Sequence, residues 1–238
     1  MIIFKQLIVF LQHFNLHYYI MKLNEYIDHT LLKPSATQKD IKALCTEAKK
    51  HRFYSVCVNG SYVAYAKQLV SKSNVKVCAV VGFPLGACTT ETKVFEAKQA
   101  IEQGADEIDM VMNIGMLKSE NYVSVYKDIR DVKIAIGKTP LKVIIEICEL
   151  SKNEMVKATQ ICLDAKADFV KTSTGFGKGG ATLTAVKMIN KTVRNQAKIK
   201  ASGGIKNLET ALKFIDLGTD RIGTSSGVSI VLESKSKK

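Results

Sequence analysis

The chain has 238 residues, of which 46% are hydrophobic and 24% are charged, and its formal net charge is +13. This composition is typical of a globular protein and not of a disordered one, the length suits a single large domain, and no apolar run is long enough to span a bilayer. Lysine supplies nearly all of the positive charge without forming a basic stripe, so we expect an anionic small substrate rather than nucleic acid.

The first twenty residues, MIIFKQLIVFLQHFNLHYYI, differ from the rest of the chain. They carry one lysine, their apolar stretch is interrupted by Gln12 and His13, and they offer no small-residue cleavage site, so they make a poor signal peptide. We interpret residues 1–20 as a leader outside the domain, with Met21 as a second candidate start. Residues 21–238 then form the domain.

From Met21 onward, short runs rich in β-branched residues alternate with about a dozen residues at helical apolar spacing. The predicted strands are Tyr26–Leu31, Ser55–Val58, Val75–Val81, Glu107–Met112, Leu141–Ile147, Phe169–Thr172, Ile199–Ala201 and Arg221–Gly223. The predicted helices are Gln38–His51, Ser61–Ser71, Glu91–Gln103, Glu120–Ile136, Lys152–Ala165, Leu183–Val193 and Leu208–Asp216. Candidate N-caps are Thr37, Thr89, Ser119 and Ser151, and candidate stops are Gly104 and Gly218.

Eight strands that alternate with helices predict a parallel sheet with crossover connections. At this chain length, eight such units predict closure into a single (β/α)8 TIM barrel. An open, doubly wound sheet is the alternative, but no GxGxxG motif follows the first predicted strand to support it.

Three ionisable residues interrupt predicted strands. Asp109 lies in strand four, Lys171 at the end of strand six and Lys200 in strand seven. Period-two alternation turns Asp109 and Lys200 toward the barrel interior, and active sites of such barrels form where the strands end. We therefore expect the three side chains to meet in one lumen.

Two buried lysines on adjacent strands disfavour each other's charge, so one of them should lose its proton more readily than a free lysine. A neutral amine can add to a carbonyl group, and a neighbouring cation and a carboxylate complete the set that Schiff-base chemistry needs. The structural alternative is a pair of lysines whose ammonium groups reach the barrel rim or hold an anion.

Glycine-rich loops follow the last three predicted strands, as GFGKGG, SGG and GTSSG. Loops after strands seven and eight of a barrel frequently bind phosphate through backbone N–H groups. No metal site is expected, because the six cysteines show no CxxC spacing and the four histidines are scattered. Unpaired thiols are typical of a cytoplasmic protein.

The motifs IDHTLLKP, VCVN, VVGFPLG, GADEIDMVMNIG, KVIIE, ADFVKTSTGF, KASGGI and RIGTSSG together resemble those of deoxyribose-phosphate aldolases, over about residues 23–231. The resemblance implies that Lys171 forms the Schiff base, that Asp109 shuttles protons and that Lys200 perturbs the nucleophile and assists proton transfer. It also implies that Asp28 and Cys57 lie in or near the same pocket. The predicted substrate-binding residues are Asp28, Cys57, Thr174, Gly175, Gly203, Gly204, Ser225 and Ser226.

The implied reaction is the reversible cleavage of 2-deoxy-D-ribose 5-phosphate to D-glyceraldehyde 3-phosphate and acetaldehyde, in deoxyribonucleoside catabolism and without a cofactor. The expected partners are a sugar phosphate and an aldehyde in the cytoplasm, with neither nucleic acid nor membrane, and a homodimer or homotetramer is the expected assembly. Two alternatives remain open, which are an aldolase for another phosphorylated sugar and a catalytically silent phosphate-binding barrel. The leader and the tail SKSKK, which lacks a closing tyrosine, depart from the family pattern.

Overall fold

The β-branched segments form eight parallel strands, each paired with the next, and β8 pairs with β1 to close a barrel. The structure is a computed structural model, and it describes residues 22–236. The strands are β1 (Ile27–Leu31), β2 (Ser55–Val58), β3 (Lys76–Val81), β4 (Glu107–Val111), β5 (Leu141–Ile144), β6 (Phe169–Lys171), β7 (Lys198–Ser202) and β8 (Arg221–Thr224). The predicted (β/α)8 barrel is confirmed, and the open sheet is wrong.

The helices lie between the strands along the chain. They are α1 (Gln38–His51), α2 (Val63–Val70), α3 (Thr90–Glu102), α4 (Ile114–Lys118), α5 (Tyr122–Ile136), α6 (Lys152–Asp164), α7 (Leu183–Val193), α8 (Leu208–Asp216) and α9 (Gly227–Ser236). Short 3-10 helices span Leu23–Tyr26, Gly60–Tyr62 and Ile147–Glu149. None of the helices within residues 22–236 is both long and apolar enough to cross a membrane.

Helix ends follow the sequence signals at most positions. Thr37, Thr89 and Ser151 cap their helices as predicted, each accepting a hydrogen bond from the backbone three residues on. Ser119 does not, because a short helix that the sequence did not predict, α4, ends there, and Asn121 accepts from the Ser124 N–H and caps α5 instead. The predicted N-cap at Ser119 is therefore wrong.

The strands separate an outer apolar layer from the lumen. Ile108 and Met110 of β4 are buried in the main hydrophobic core, which also contains buried side chains of the surrounding helices. Asp109, between them, points into the lumen, as the period-two alternation predicts. The predicted leader, residues 1–20, lies outside the described residues.

Candidate active site

A cavity of about 280 Å³ opens at the C-terminal ends of β1, β6, β7 and β8, which is the edge predicted for the site. Of the residues proposed from the sequence, the cavity is lined by Lys171, Thr174, Gly175, Gly203, Gly204 and Ser225. Asp109 and Lys200 are not among the lining residues, because both are fully buried. The site therefore has an accessible layer and a buried layer.

Lys171 joins the two layers. It ends β6, is 2% exposed and lines the cavity, and its Nζ lies 2.8 Å from Asp109 Oδ2. The fully buried Lys200 pairs with the same oxygen at 2.8 Å. The structure thus brings together all three residues that the strand interruptions singled out, with one carboxylate oxygen shared by two ammonium groups.

Asp109 also contacts a third lysine that the sequence analysis missed. Lys142 of β5 is fully buried, and its Nζ lies 2.8 Å from Asp109 Oδ1 and 2.6 Å from Glu107 Oε2. The signal was present, since Lys142 interrupts the apolar run LKVII just as Lys200 interrupts KIKAS. Register explains the contact, because Asp109 and Lys142 are Cα partners on neighbouring strands.

Asp28 lies at the far side of Lys200. Its Oδ2 is 2.5 Å from Lys200 Nζ, and its Oδ1 is 3.7 Å from Arg221 Nε. It is fully buried and absent from the cavity lining, so its predicted contact with the substrate stays a prediction. Asp28 instead neutralises the lysine beside the nucleophile.

The buried charges determine each other's ionisation. Burial alone would raise the pKa of Asp109, but Lys142, Lys171 and Lys200 hold it well below the usual value. Burial would likewise lower the pKa of Lys200, but Asp109 and Asp28 raise it well above its ordinary value. The site therefore contains a permanent carboxylate beside Lys171 and a permanent cation on the far side of that carboxylate.

Two thiols face each other below the cavity. Cys57 of β2 and Cys78 of β3 are register partners, both fully buried, and neither lines the cavity. A hydrogen bond with Cys78 lowers the pKa of the Cys57 thiol to about 7 against the effect of burial. Cys57 thus lies close to Lys200 and Lys171 but outside the cavity lining, and its contact with the substrate stays a prediction.

Cys57, Cys78 and Asp109 place ligand atoms within 4.8 Å of one another, which is close enough to share a metal ion. However, Asp109 Oδ1 already accepts from Lys142, and Oδ2 accepts from Lys171 and Lys200. A divalent cation would meet three positive charges at this oxygen pair, so the group does not fit a metal ion well.

The predicted phosphate site is partly assembled. Gly203 and Gly204 have φ values of +87° and +80°, in the left-handed region that favours glycine, and with Ser225 and Lys206 they line the cavity. Ser226 does not line it, and its N–H donates to Thr224 Oγ1 at 2.9 Å. The predicted contribution of Ser226 to phosphate binding stays a prediction, and Lys206 adds a cation that the sequence analysis did not single out.

Comparisons with known proteins identify the family of this chain. A family model described as DeoC/LacD family aldolase matches residues 23–233. The deoxyribose-phosphate aldolase of Streptococcus uberis is 56% identical over 211 residues, covering 89% of this chain and 96% of that protein.

Solved structures show the same fold. One described as "QR15, an Aldolase" superposes with a TM-score of 0.86 at 43% identity, covering 89% of this chain and 95% of that chain. The deoxyribose phosphate aldolase of Aeropyrum pernix, described as having a unique tetrameric structure, gives a TM-score of 0.83 at 32% identity over 92% of this chain and 93% of its own. The chain described here belongs to the DeoC/LacD family of aldolases.

Proposed function

We propose that this aldolase reversibly cleaves 2-deoxy-D-ribose 5-phosphate to D-glyceraldehyde 3-phosphate and acetaldehyde through a Schiff base on Lys171. The observation that carries the proposal is the position of Lys171: the residue lines a cavity, and its amine is hydrogen-bonded to a carboxylate. Lys142 and Lys200 are both fully buried in ion pairs, which leaves Lys171 as the lumen lysine best placed to reach a substrate. The name of the Streptococcus uberis relative supports the choice of sugar.

In the cleavage direction, the Lys171 amine adds to the C1 aldehyde of the open-chain sugar, and loss of water forms an iminium ion. Removal of the proton from the C3 hydroxyl breaks the C2–C3 bond, and the electron pair of that bond moves into the iminium to form an enamine. Glyceraldehyde 3-phosphate leaves. Protonation of the enamine at C2 and hydrolysis of the resulting iminium then release acetaldehyde and the free lysine.

Asp109 is the group proposed to move these protons, directly or through water. Its lowered pKa keeps it ionised at neutral pH and also makes it a weak base, so we propose that it relays the proton of the substrate hydroxyl rather than retaining it. Lys200, which its raised pKa keeps protonated, is proposed to assist this transfer through its hydrogen bond to the shared oxygen of Asp109. The buried carboxylate thus connects a proton donor to the nucleophile.

The phosphate group is proposed to lie at the opposite end of the cavity, against Gly203, Gly204, Ser225 and Lys206. Two glycines in left-handed conformations present backbone N–H groups without a side chain in the way, and the Lys206 ammonium adds charge. The expected partners are small molecules, in the cytoplasm and with self-association into a homodimer or homotetramer.

The proposal is tested by a coupled cleavage assay on 2-deoxyribose 5-phosphate and by sodium borohydride reduction in the presence of acetaldehyde. The wild-type chain should cleave the sugar and retain a reduced two-carbon adduct on Lys171, and Lys171→Met should do neither. Cleavage of ribose 5-phosphate, run in parallel, tests the preference for the deoxy sugar.

Each other outcome contradicts a stated part of the proposal. Absence of any adduct would favour a phosphate-binding barrel without catalytic activity. An adduct without cleavage of the deoxy sugar would favour an aldolase for another phosphorylated sugar. A label on Lys200 instead of Lys171 would show that the roles of the two lysines are reversed.

A further inference from the structure

The loop that follows β6, residues 174–180 (the β6 loop), lies directly on two residues from the end of β5, Glu146 and Cys148. A Cβ atom at Gly177 would lie 2.8 Å from Cys148 Sγ and 3.3 Å from Glu146 Cδ, and one at Gly179 would lie 3.2 Å from Cys148 Cβ. A side chain at position 177 would therefore force Cys148 or the loop to move, and one at position 179 would make a tight contact.

Glu146 binds this loop through its carboxylate. It is 4% exposed, and its Oε2 accepts hydrogen bonds from the Thr174 N–H at 3.2 Å and from the Thr174 hydroxyl. Its Oε1 accepts from the Cys148 thiol at 3.6 Å. Within residues 22–236, no lysine, arginine or histidine forms an ion pair with Glu146.

A buried carboxylate without a cationic partner is costly unless its hydrogen bonds compensate for the lost water. Here the strongest compensating donors both belong to Thr174, so the charge of Glu146 is stabilised mainly when the β6 loop is in place. The backbone of Glu146, which precedes the 3-10 helix Ile147–Glu149, has φ = +50°, a conformation that L-residues rarely adopt.

The contacts of Glu146 extend to the cavity wall. Thr174 Oγ1 accepts from the Phe176 N–H at 3.0 Å, and the Phe176 ring meets the Phe83 ring edge-on, with centroids 5.2 Å apart. Thr174, Gly175 and Phe176 all line the cavity that contains Lys171. Directly after the other end of the loop, the Ala181 N–H donates to the carbonyls of Ser202 and Gly203, beside the proposed phosphate site.

We infer that Glu146 is a positioning residue for the aldol reaction, which holds the β6 loop as the wall of the cavity against the sugar phosphate. The inference rests on the proposed function. Glu146 does not line the cavity, so it acts through Thr174 and Phe176 rather than on the reacting atoms. Its loss should weaken binding of the sugar phosphate while leaving Lys171 able to form a Schiff base.

The first test compares Glu146→Ala with Glu146→Gln. Glu146→Ala should raise KM for 2-deoxyribose 5-phosphate about tenfold or more, since it removes two hydrogen bonds to a charged acceptor. The fraction of enzyme that borohydride traps with acetaldehyde should stay at the wild-type level, because acetaldehyde needs only the nucleophile. Glu146→Gln keeps one acceptor oxygen for Thr174 and should restore most of the binding.

A structural role alone would lower the melting temperature and the trapped fraction together and leave KM of the remaining enzyme unchanged, which would overturn the inference. A KM for 2-deoxyribose 5-phosphate that is as high in Glu146→Gln as in Glu146→Ala would also overturn the inference. Absence of cleavage or trapping in the wild-type chain would instead contradict the proposed function, so the two failures are distinguishable.

The second test leaves Glu146 intact. Gly177→Ala adds a Cβ atom 2.8 Å from Cys148 Sγ, which should displace the loop and raise KM. Cys148→Ala removes that sulfur, so the double variant should return KM to within about twofold of wild type, as expected when two substitutions share one contact. Gly60→Ala is the matched control, because a Cβ there meets nothing within 4 Å. A KM unchanged in Gly177→Ala, or unrestored in the double variant, would contradict the loop's proposed role.

Discussion

Asp109 is the residue on which the arrangement of the site depends. Its two oxygens accept hydrogen bonds from Lys142, Lys171 and Lys200, so a single carboxylate orients three lysines from three strands. Removal of one buried charge from such a network leaves the opposite charges without a partner, and the resulting loss of folding stability is larger than the energy of the lost contact itself. The effect of a substitution on stability can therefore be distinguished from its effect on catalysis only when both members of an ion pair are replaced together.

Lys200→Met tests this separation. The single substitution leaves Asp28 and Asp109 without their shared cation, and we expect it to lower the free energy of unfolding by about 3 kcal/mol or more, as for other broken buried pairs. Cleavage should fall by about a hundredfold or more, the usual effect of removing a proton-transfer group.

The double variant Lys200→Met/Asp28→Asn removes the charge that the single variant leaves unpaired. Its stability, measured by chemical denaturation, should recover in part, while its cleavage rate should remain low because the proton path to Asp109 is still interrupted. Recovery of the rate along with the stability would show that Lys200 serves structure alone.

Period-two alternation identified Asp109 and Lys200 as inward-facing, and applied to LKVII it would have identified Lys142 as well. The same alternation turns Glu107 inward with Asp109, but it could not show that Glu107 Oε2 lies 2.6 Å from Lys142 Nζ, because that contact depends on the pairing of β4 with β5. The position of a residue along a strand predicts the direction of its side chain. The groups which that side chain contacts depend on how the neighbouring strands are paired.

At the scale of elements, the loops after β6, β7 and β8 form the accessible part of the site. The glycine content of these loops predicted their role, but not which residues face the cavity. Ser225 does so, whereas the neighbouring Ser226 turns its N–H toward Thr224. The residues of a loop that line a cavity are therefore not given by its glycine content.

Ser225→Asp therefore tests the proposed phosphate site. A carboxylate at this position would repel the phosphate dianion, so we expect KM for 2-deoxyribose 5-phosphate to rise about tenfold or more with a smaller change in kcat. Cleavage of unphosphorylated deoxyribose, measured in the same assay, should hardly change. Equal losses on both sugars would place the phosphate elsewhere.

At the scale of the molecule, closure of the barrel leaves four charged residues of the lumen fully buried, namely Asp28, Asp109, Lys142 and Lys200. The pKa values of Asp28 and Asp109 are lowered, so their contribution to stability is complete above about pH 4 and is lost as the pH falls toward the lowered values. The pKa values of Lys142 and Lys200 are raised, so their contribution is complete below about pH 10 and is lost as the pH rises further.

The melting temperature, measured between pH 2 and pH 12, should consequently be constant between about pH 4 and about pH 10 and should fall outside that range. As the pH falls below about 4, the Asp28→Asn variant should lose stability less steeply than wild type, because it lacks one of the two carboxyl groups whose pKa is lowered in the folded state. Glu209→Gln is the control, since Glu209 forms an exposed pair with Lys213 on α8 and should not alter the profile. Identical acid profiles for wild type and Asp28→Asn would contradict this account.

The domain boundary at Met21 also remains a prediction for the whole chain. All eight strands of the barrel begin after Met21, so a chain that starts there should keep the melting temperature and turnover of the full chain. Calorimetry and the cleavage assay on both lengths provide the comparison. A large loss in either would show that residues 1–20 belong to the folded unit.

The sequence by itself determined the closed barrel, the inward direction of Asp109 and Lys200, and the location of the site at the strand ends, because these follow from periodicities of two and 3.6 residues along the chain. Only the tertiary structure decided which groups meet: Lys142 with Asp109, Asp28 with Lys200, and Glu146 with Thr174. The physical reason is that such contacts depend on the register and tilt of neighbouring strands and on the path of loops across them. Those quantities are set when the barrel closes, and no local pattern records them.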